Sequence, residues 1–157
     1  MLVGVISDTH SLLRPQVFDL FQDVETILHA GDIGDQDVLS ELRSLAPVQA
    51  VCGNTDGFSI TEQFPPHRSF QLEEVKVFLT HIGGSPQQMR SLYPEIQESD
   101  LVIFGHSHKP LQVQDGGTLF FNPGSAGPAR FSLPVTLGKI EIRKSEVFAE
   151  IVEIPEV

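Results

Sequence analysis

Six short apolar runs in this chain each stop abruptly at a small cluster of glycine, aspartate, histidine or asparagine. "LVGVI" (2–6) runs into "SDTH" (7–10), "TILH" (26–29) into "AGD" (30–32), and "PVQAVC" (47–52) into "GNTD" (53–56). "VKVFLT" (75–80) meets His81, "LVIF" (101–104) meets "GHSH" (105–108), and "LFF" (119–121) meets "NPGS" (122–125). A short apolar run bounded by such breakers predicts a buried strand of an α/β sheet. The pattern therefore asks for several buried strands whose ends carry polar, chemistry-bearing side chains.

The segments between the runs fill in the class. Pro15 is placed to open a helix with Val17, Phe18, Leu20 and Phe21 on its apolar face. Asp35 predicts an N-cap for a helix through about Leu45, with Val38, Leu39, Leu42 and Leu45 at helical spacing. Alternating strand and helix in the first third implies a parallel sheet. Later the character changes. Ser69 to Leu72 and Leu111 to Val113 predict further strands, and Asp115-Gly116-Gly117 is a hairpin turn. One helix is expected near Pro86 to Tyr93, and the tail from Val135 to Ile154 reads as two strands around Arg143-Lys144-Ser145. Residues 59 to 68, with Pro65-Pro66, read as a surface loop. The expected class is α/β at the boundary with α+β: two sheets packed face to face, helices outside. No repeat, linker or low-complexity stretch divides the chain, so residues 1–157 are expected to form one domain.

Composition narrows the partners. The formal charge of −11 argues against long nucleic acid or an anionic membrane, both of which need a positive face. No apolar stretch approaches the length of a membrane span. One cysteine rules out an internal disulfide. "MLVGVISDTH" has no basic region and only a very short apolar run, so it is not expected to act as a signal peptide. A reducing, cytoplasmic setting is expected.

Five of the six histidines lie in the strand-end segments, and only His67 does not. In open α/β sheets, sites form beyond the carboxyl ends of strands. Histidine, aspartate and asparagine offer nitrogen and oxygen donors without thiolate, a set that suits manganese, iron, zinc or nickel better than a structural zinc. In D-x-H and H-x-H, donors two residues apart span roughly 6.6 Å of extended chain. Such a pair can flank two metals about 3.5–4 Å apart or close on one ion.

The ordered set "SDTH", "GD", "GNTD", "TH", "GHSH" and "NPGS", from residue 7 to 125, resembles the motifs of the calcineurin-like metallophosphoesterases, and most closely their short YfcE-like phosphodiesterase branch. The resemblance implies a four-layer αββα sandwich of two mixed sheets with flanking helices. It also implies two divalent ions per chain, with manganese first and nickel, iron, zinc or cobalt admitted. By position, Asp8, His10, Asp32 and His108 would hold one ion, and Asp32, Asn54, His81 and His106 the other. Asp32 would bridge through its two oxygens, and Asp32 and Asn54 would be catalytic. The implied activity is hydrolysis of a small phosphodiester by a metal-bridging hydroxide. Where many relatives read "GNH", this chain has Thr55, which is no useful acid near neutral pH and leaves leaving-group protonation unassigned.

The remaining residues have two readings each. His29 would support a ligand from behind or face substrate. Asp56 would orient a ligand histidine or stabilise its own turn. Arg130 would bind the substrate phosphate or pair with the acidic surface. "NPGS" is a simple turn, or else Gly124 and Ser125 support the metal loops through backbone contacts. Cys52 reads as a small buried hydrophobe ending a strand, and His67 as a loop residue. Against the enzyme stands a binding module of the same fold, like the scaffold subunit of the retromer coat, whose catalytic set is incomplete. A nuclease acting on short oligonucleotides is the weaker alternative. Exposed strand edges leave a homo-oligomer open.

Overall fold

The computed structural model describes residues 1–156. Five strands form one sheet in the order β10-β9-β1-β2-β3: β1 (Leu2–Ile6), β2 (Thr26–His29), β3 (Val48–Ala50), β9 (Thr136–Arg143) and β10 (Glu146–Glu153). Five more form the second in the order β4-β5-β6-β8-β7: β4 (His67–Leu72), β5 (Val75–Ile82), β6 (Leu101–Gly105), β7 (Leu111–Asp115) and β8 (Thr118–Asn122). In each sheet three neighbouring strands run parallel: β1, β2 and β3 in the first, β5, β6 and β8 in the second. Antiparallel strands complete both. The sandwich is thus built from two mixed sheets.

Side-chain alternation explains why the strands read as unbroken apolar runs. Leu101 and Ile103 of β6 point into the core between the sheets, with Val5, Leu28, Leu79 and Phe121. Val102 and Phe104 point outward, onto Met89 of α4 (Pro86–Leu92) and Ile96 of a 3-10 turn (Pro94–Glu98). On the far side, Ile6 and Ile27 meet Val17 of α1 (Gln16–Leu20), Leu39 and Leu42 of α2 (Gln36–Arg43), and Ile60 of α3 (Phe58–Thr61). Burial on two faces removes the polar alternation that a half-solvated strand would show. Four layers result, helix–sheet–sheet–helix.

Asp35 caps α2 as expected, accepting from the N–H groups of Asp37 and Val38. Ser85 caps α4 in a reciprocal box with Gln88, and Pro94 converts its continuation into the 3-10 turn. Residues 59 to 68 depart from the expected loop. Ile60 and Phe64, one helical turn apart, are both buried against the α2 side and hold α3 in place, while His67 opens β4 opposite Thr80. The two prolines hide that short apolar spacing in the sequence.

Candidate metal centre

The six parallel strands all end at one rim of the sandwich, and every strand-end cluster gathers there. Backbone bonds Asp8 N–H to Gly31 O (3.0 Å), His10 N–H to Asp32 O (3.0 Å) and Ser11 N–H to Ile33 O (2.9 Å) zip the loops after β1 and β2 together. The second sheet approaches so closely that a side chain on Gly105 would strike Ser7 and Asp8. Likewise a side chain on Gly53 would strike Asp32. These glycines are needed for close approach of the loops rather than for an unusual turn.

Two groups of donors result, each drawn within 4.8 Å: Asp8, His10 and His108 in one, and Asp32, His81 and His106 in the other. Asn54, whose loop follows β3, joins the second group. Its Oδ1 lies 3.0 Å from His81 Nε2 and 3.1 Å from His106 Nδ1. Asp32 stands between the groups. Its Oδ2 is 3.2 Å from His81 Nε2 and 3.6 Å from His10 Nε2. Its Oδ1 accepts the Thr55 N–H at 3.0 Å. One oxygen therefore faces both groups, where the sequence reading expects each oxygen to serve one ion.

The neighbours of each donor fix its orientation. Asp8 Oδ2 accepts from the Ser7 hydroxyl (2.6 Å) and the His106 N–H (3.1 Å), which leaves Oδ1 facing His108 Nε2 at 3.3 Å and His10 Nε2 at 3.8 Å. Asp8 Oδ1 and His10 Nε2 are buried with no hydrogen-bond partner among the described residues. Two orphaned acceptors of this kind are costly unless a cation lies between them. Donors bonded to one ion at about 2.1 Å lie about 3.0–3.4 Å apart, close to several of the separations here. His81 Nδ1 lies 2.8 Å from the Ala30 carbonyl and donates to it, which leaves Nε2 as the nitrogen available to an ion. The residues fit two divalent ions.

Electrostatics separates the groups. Burial alone would raise Asp32, but its hydrogen bonds with His81 and the Thr55 N–H hold the carboxyl well below the usual range. Burial alone would lower His81, but Asp32, Asp8 and the Ala30 carbonyl raise it above its ordinary value. His108 is lowered, by burial first, with the charges of Arg130 and His10 opposing the pull of Asp8.

The other expected residues fall into place around this frame. His29 is fully buried and faces no solvent. Its Nδ1 accepts the Gly31 N–H, so Nε2–H donates to Thr9 Oγ1, whose own proton goes to the Ile33 carbonyl. That neutral tautomer is locked, and burial, with nearby His81, pushes the ring down to about 3. Asp56 touches no histidine. It accepts from the backbone N–H groups of Gly34 (3.0 Å) and Gly53 (2.7 Å), clasping two loops. Ser125 donates to the Asp8 carbonyl, so "NPGS" supports the first loop. Arg130 is exposed, and its charge reaches His108. Cys52 is half-buried beyond β3, its thiol raised by burial. Three supporting residues escape sequence reasoning: Ser7, Thr9 and Asn122, which donates to the Gly105 carbonyl and Ser107 Oγ beneath the "GHSH" loop. The signal for Ser7 and Thr9 is a small polar residue beside a candidate ligand, and for Asn122 its place at a strand end.

The model of the calcineurin-like phosphoesterase superfamily domain matches residues 1–145. A probable metallophosphoesterase of Methanothermobacter thermautotrophicus is 40% identical over 161 residues, 97% of this chain and 92% of that protein. A phosphodiesterase of Methanocaldococcus jannaschii is 31% identical, covering 97% of this chain and 99% of that protein. Among solved structures, Vps29 of Entamoeba histolytica, complexed with zinc, aligns with a TM-score of 0.77 and 27% identity over 99% of this chain and 100% of that one.

Proposed function

The chain belongs to the calcineurin-like phosphoesterase superfamily, and from that premise we propose that it is a two-metal phosphodiesterase acting on a small phosphodiester. The observation that carries the reading is Asp32 Oδ2, which faces donors of both groups while the Thr55 N–H occupies its other oxygen. Divalent ions bound there would lower the pKa of a water and neutralise charge on a phosphoryl group. Manganese is the first candidate ion, with nickel, iron, zinc and cobalt as the others the donor set admits.

The chain's own residues do the positioning. Ser7 and the His106 N–H turn Asp8 Oδ1 inward, and the Ala30 carbonyl presents His81 Nε2. Asn54 offers its oxygen to the second group and leaves its NH2 for substrate. Arg130, exposed and with its charge felt at His108, would meet a phosphoryl oxygen. The name of the Methanocaldococcus relative supports a diester over a monoester. Likeness to Vps29 favours one second reading, a non-catalytic scaffold. Adding Mn2+, Ni2+, Zn2+ or Mg2+ to metal-stripped protein should restore cleavage of bis(4-nitrophenyl) phosphate. Inactivity with every ion selects the scaffold.

A further inference from the structure

Two hollows open beside the second donor group. The smaller, about 180 Å3, is lined by Asn54 and His81 together with Pro66, His67 and Tyr93. The larger, about 460 Å3, has His106 on its wall and runs past Gly83 and Phe104 to Pro110 and Leu111. Only the larger falls within the roughly 300–1,000 Å3 typical of small-molecule sites. In a chain with 21 acidic residues, no carboxylate lines it, and Lys109 is its one lysine or arginine. Its apolar character belongs to a pattern. Leu12, Ile82 and Leu111 are large apolar side chains left in solvent, and each closely follows a donor: His10, His81 and His108. Isolated exposed leucines are ordinary, but apolar side chains gathered around a polar centre mark a binding surface.

We infer that the larger hollow receives a flat aromatic arm, an aryl ring or a nucleobase, of a phosphodiester whose phosphate lies at the metal centre. The inference rests on the phosphodiesterase reading above. Phe104, Pro110 and Leu111 supply apolar contact to the ring, and Lys109 at the hollow meets the anionic side. A diester has two arms, and the two hollows of unequal size flank the same donor group. The substrate class is therefore an asymmetric diester with one bulky aromatic arm and one small arm.

The test compares wild type with Leu111→Asp and Leu111→Trp, chosen because Leu111 is 37% exposed on an edge strand and tolerates change. In the metal-loaded enzyme Leu111→Asp should raise KM for bis(4-nitrophenyl) phosphate about tenfold, the usual scale for losing one apolar pocket contact, and Leu111→Trp should raise it similarly by filling the hollow. In metal-free protein the same diester should shift the backbone amide resonances of Gly83, Gly84 and Leu111, and Leu111→Asp should abolish the shifts. A lower KM for thymidine 5′-(4-nitrophenyl phosphate) than for the bis-aryl diester assigns the arm to a nucleobase; the reverse assigns it to a simple aryl ring. Cleavage with unchanged KM in both variants and no amide shifts overturns the inference and leaves the phosphodiesterase reading standing. Loss of that reading shows separately, as wild type inactive with every ion.

Discussion

The two donor groups share Asp32 yet are built differently. Asp8, His10 and His108 form a sheltered group: Asp8 is fully buried, His108 nearly so, and two of its donor atoms have no partner among the described residues. The second group is open. His106 and Asn54 are exposed, and His81 Nε2 contacts both Asn54 Oδ1 and Asp32 Oδ2. Without an ion the first group keeps those two donor atoms unpartnered among the described residues, whereas His81 Nε2 of the second already meets Asn54 Oδ1 and Asp32 Oδ2. A cation would therefore fill an unmet need in the first group but compete with a more readily bound proton in the second. We expect the first to bind its ion more tightly and the second to exchange with solvent, next to the hollow where substrate enters.

Asp32→Ala gives the sharpest test, since it takes an oxygen from both groups at once. Cleavage of bis(4-nitrophenyl) phosphate should fall by more than about a thousandfold. Calorimetry should show both ions weakened; one ion held at wild-type affinity would mean that Asp32 is not shared. Leaving groups come next. Thr55 contributes its backbone N–H to Asp32, and its hydroxyl is no useful acid near neutral pH. Nitrophenyl diesters should react about a hundredfold faster than alkyl diesters. Equal rates, with chemistry limiting, would reveal an acid elsewhere. Asn54→Ala should separate the groups, weakening only the second ion by about tenfold or more, read as metal content per chain after dialysis. Loss of both ions together would show that the groups act as one.

Acid should act on the two groups unequally. His81 is raised above its ordinary 6.5, so the empty second group takes up a proton at higher pH than a free imidazole, and an ion must compete with it. Its affinity should begin to fall as pH drops through that raised value, by about tenfold per unit for one proton. His108 is lowered below 6.5, so that ligand of the first group stays deprotonated into more acidic solution. Metal titrations at stepwise pH should show the second ion leaving first. Simultaneous loss would contradict the proton assignment.

Much of this frame is legible in the sequence, because two-faced burial leaves an unmistakable run of apolar residues and the breakers mark where each strand ends. β1 and β2 match their apolar runs residue for residue. Less legible is whatever depends on a partner distant in the chain. That Asp32 turns a single oxygen to both groups depends on Thr55, 23 residues away, and that Asp8 turns Oδ1 inward depends on His106, 98 residues away. Sequence alone leaves His29 either supporting a ligand or facing substrate; both its ring nitrogens are spent on Gly31 and Thr9. Helix α3 is hidden because two buried residues, Ile60 and Phe64, are too few to set a period.

Of the nine non-glycine residues with positive φ, five are candidate ligands: Asp8, His10, Asp32, His106 and His108. Aspartate and histidine tolerate the left-handed region better than most residues, but each such placement still costs about 1 kcal/mol or more. The surrounding fold imposes these twists so that the side chains turn inward. The chemistry is therefore carried at the expense of durability. Replacing His106 with glycine, which adopts the same backbone freely, should leave the metal-free protein unharmed or raise its melting temperature while it removes a ligand. A lineage freed from catalysis would drift toward glycine at these positions, growing sturdier as it lost its metals.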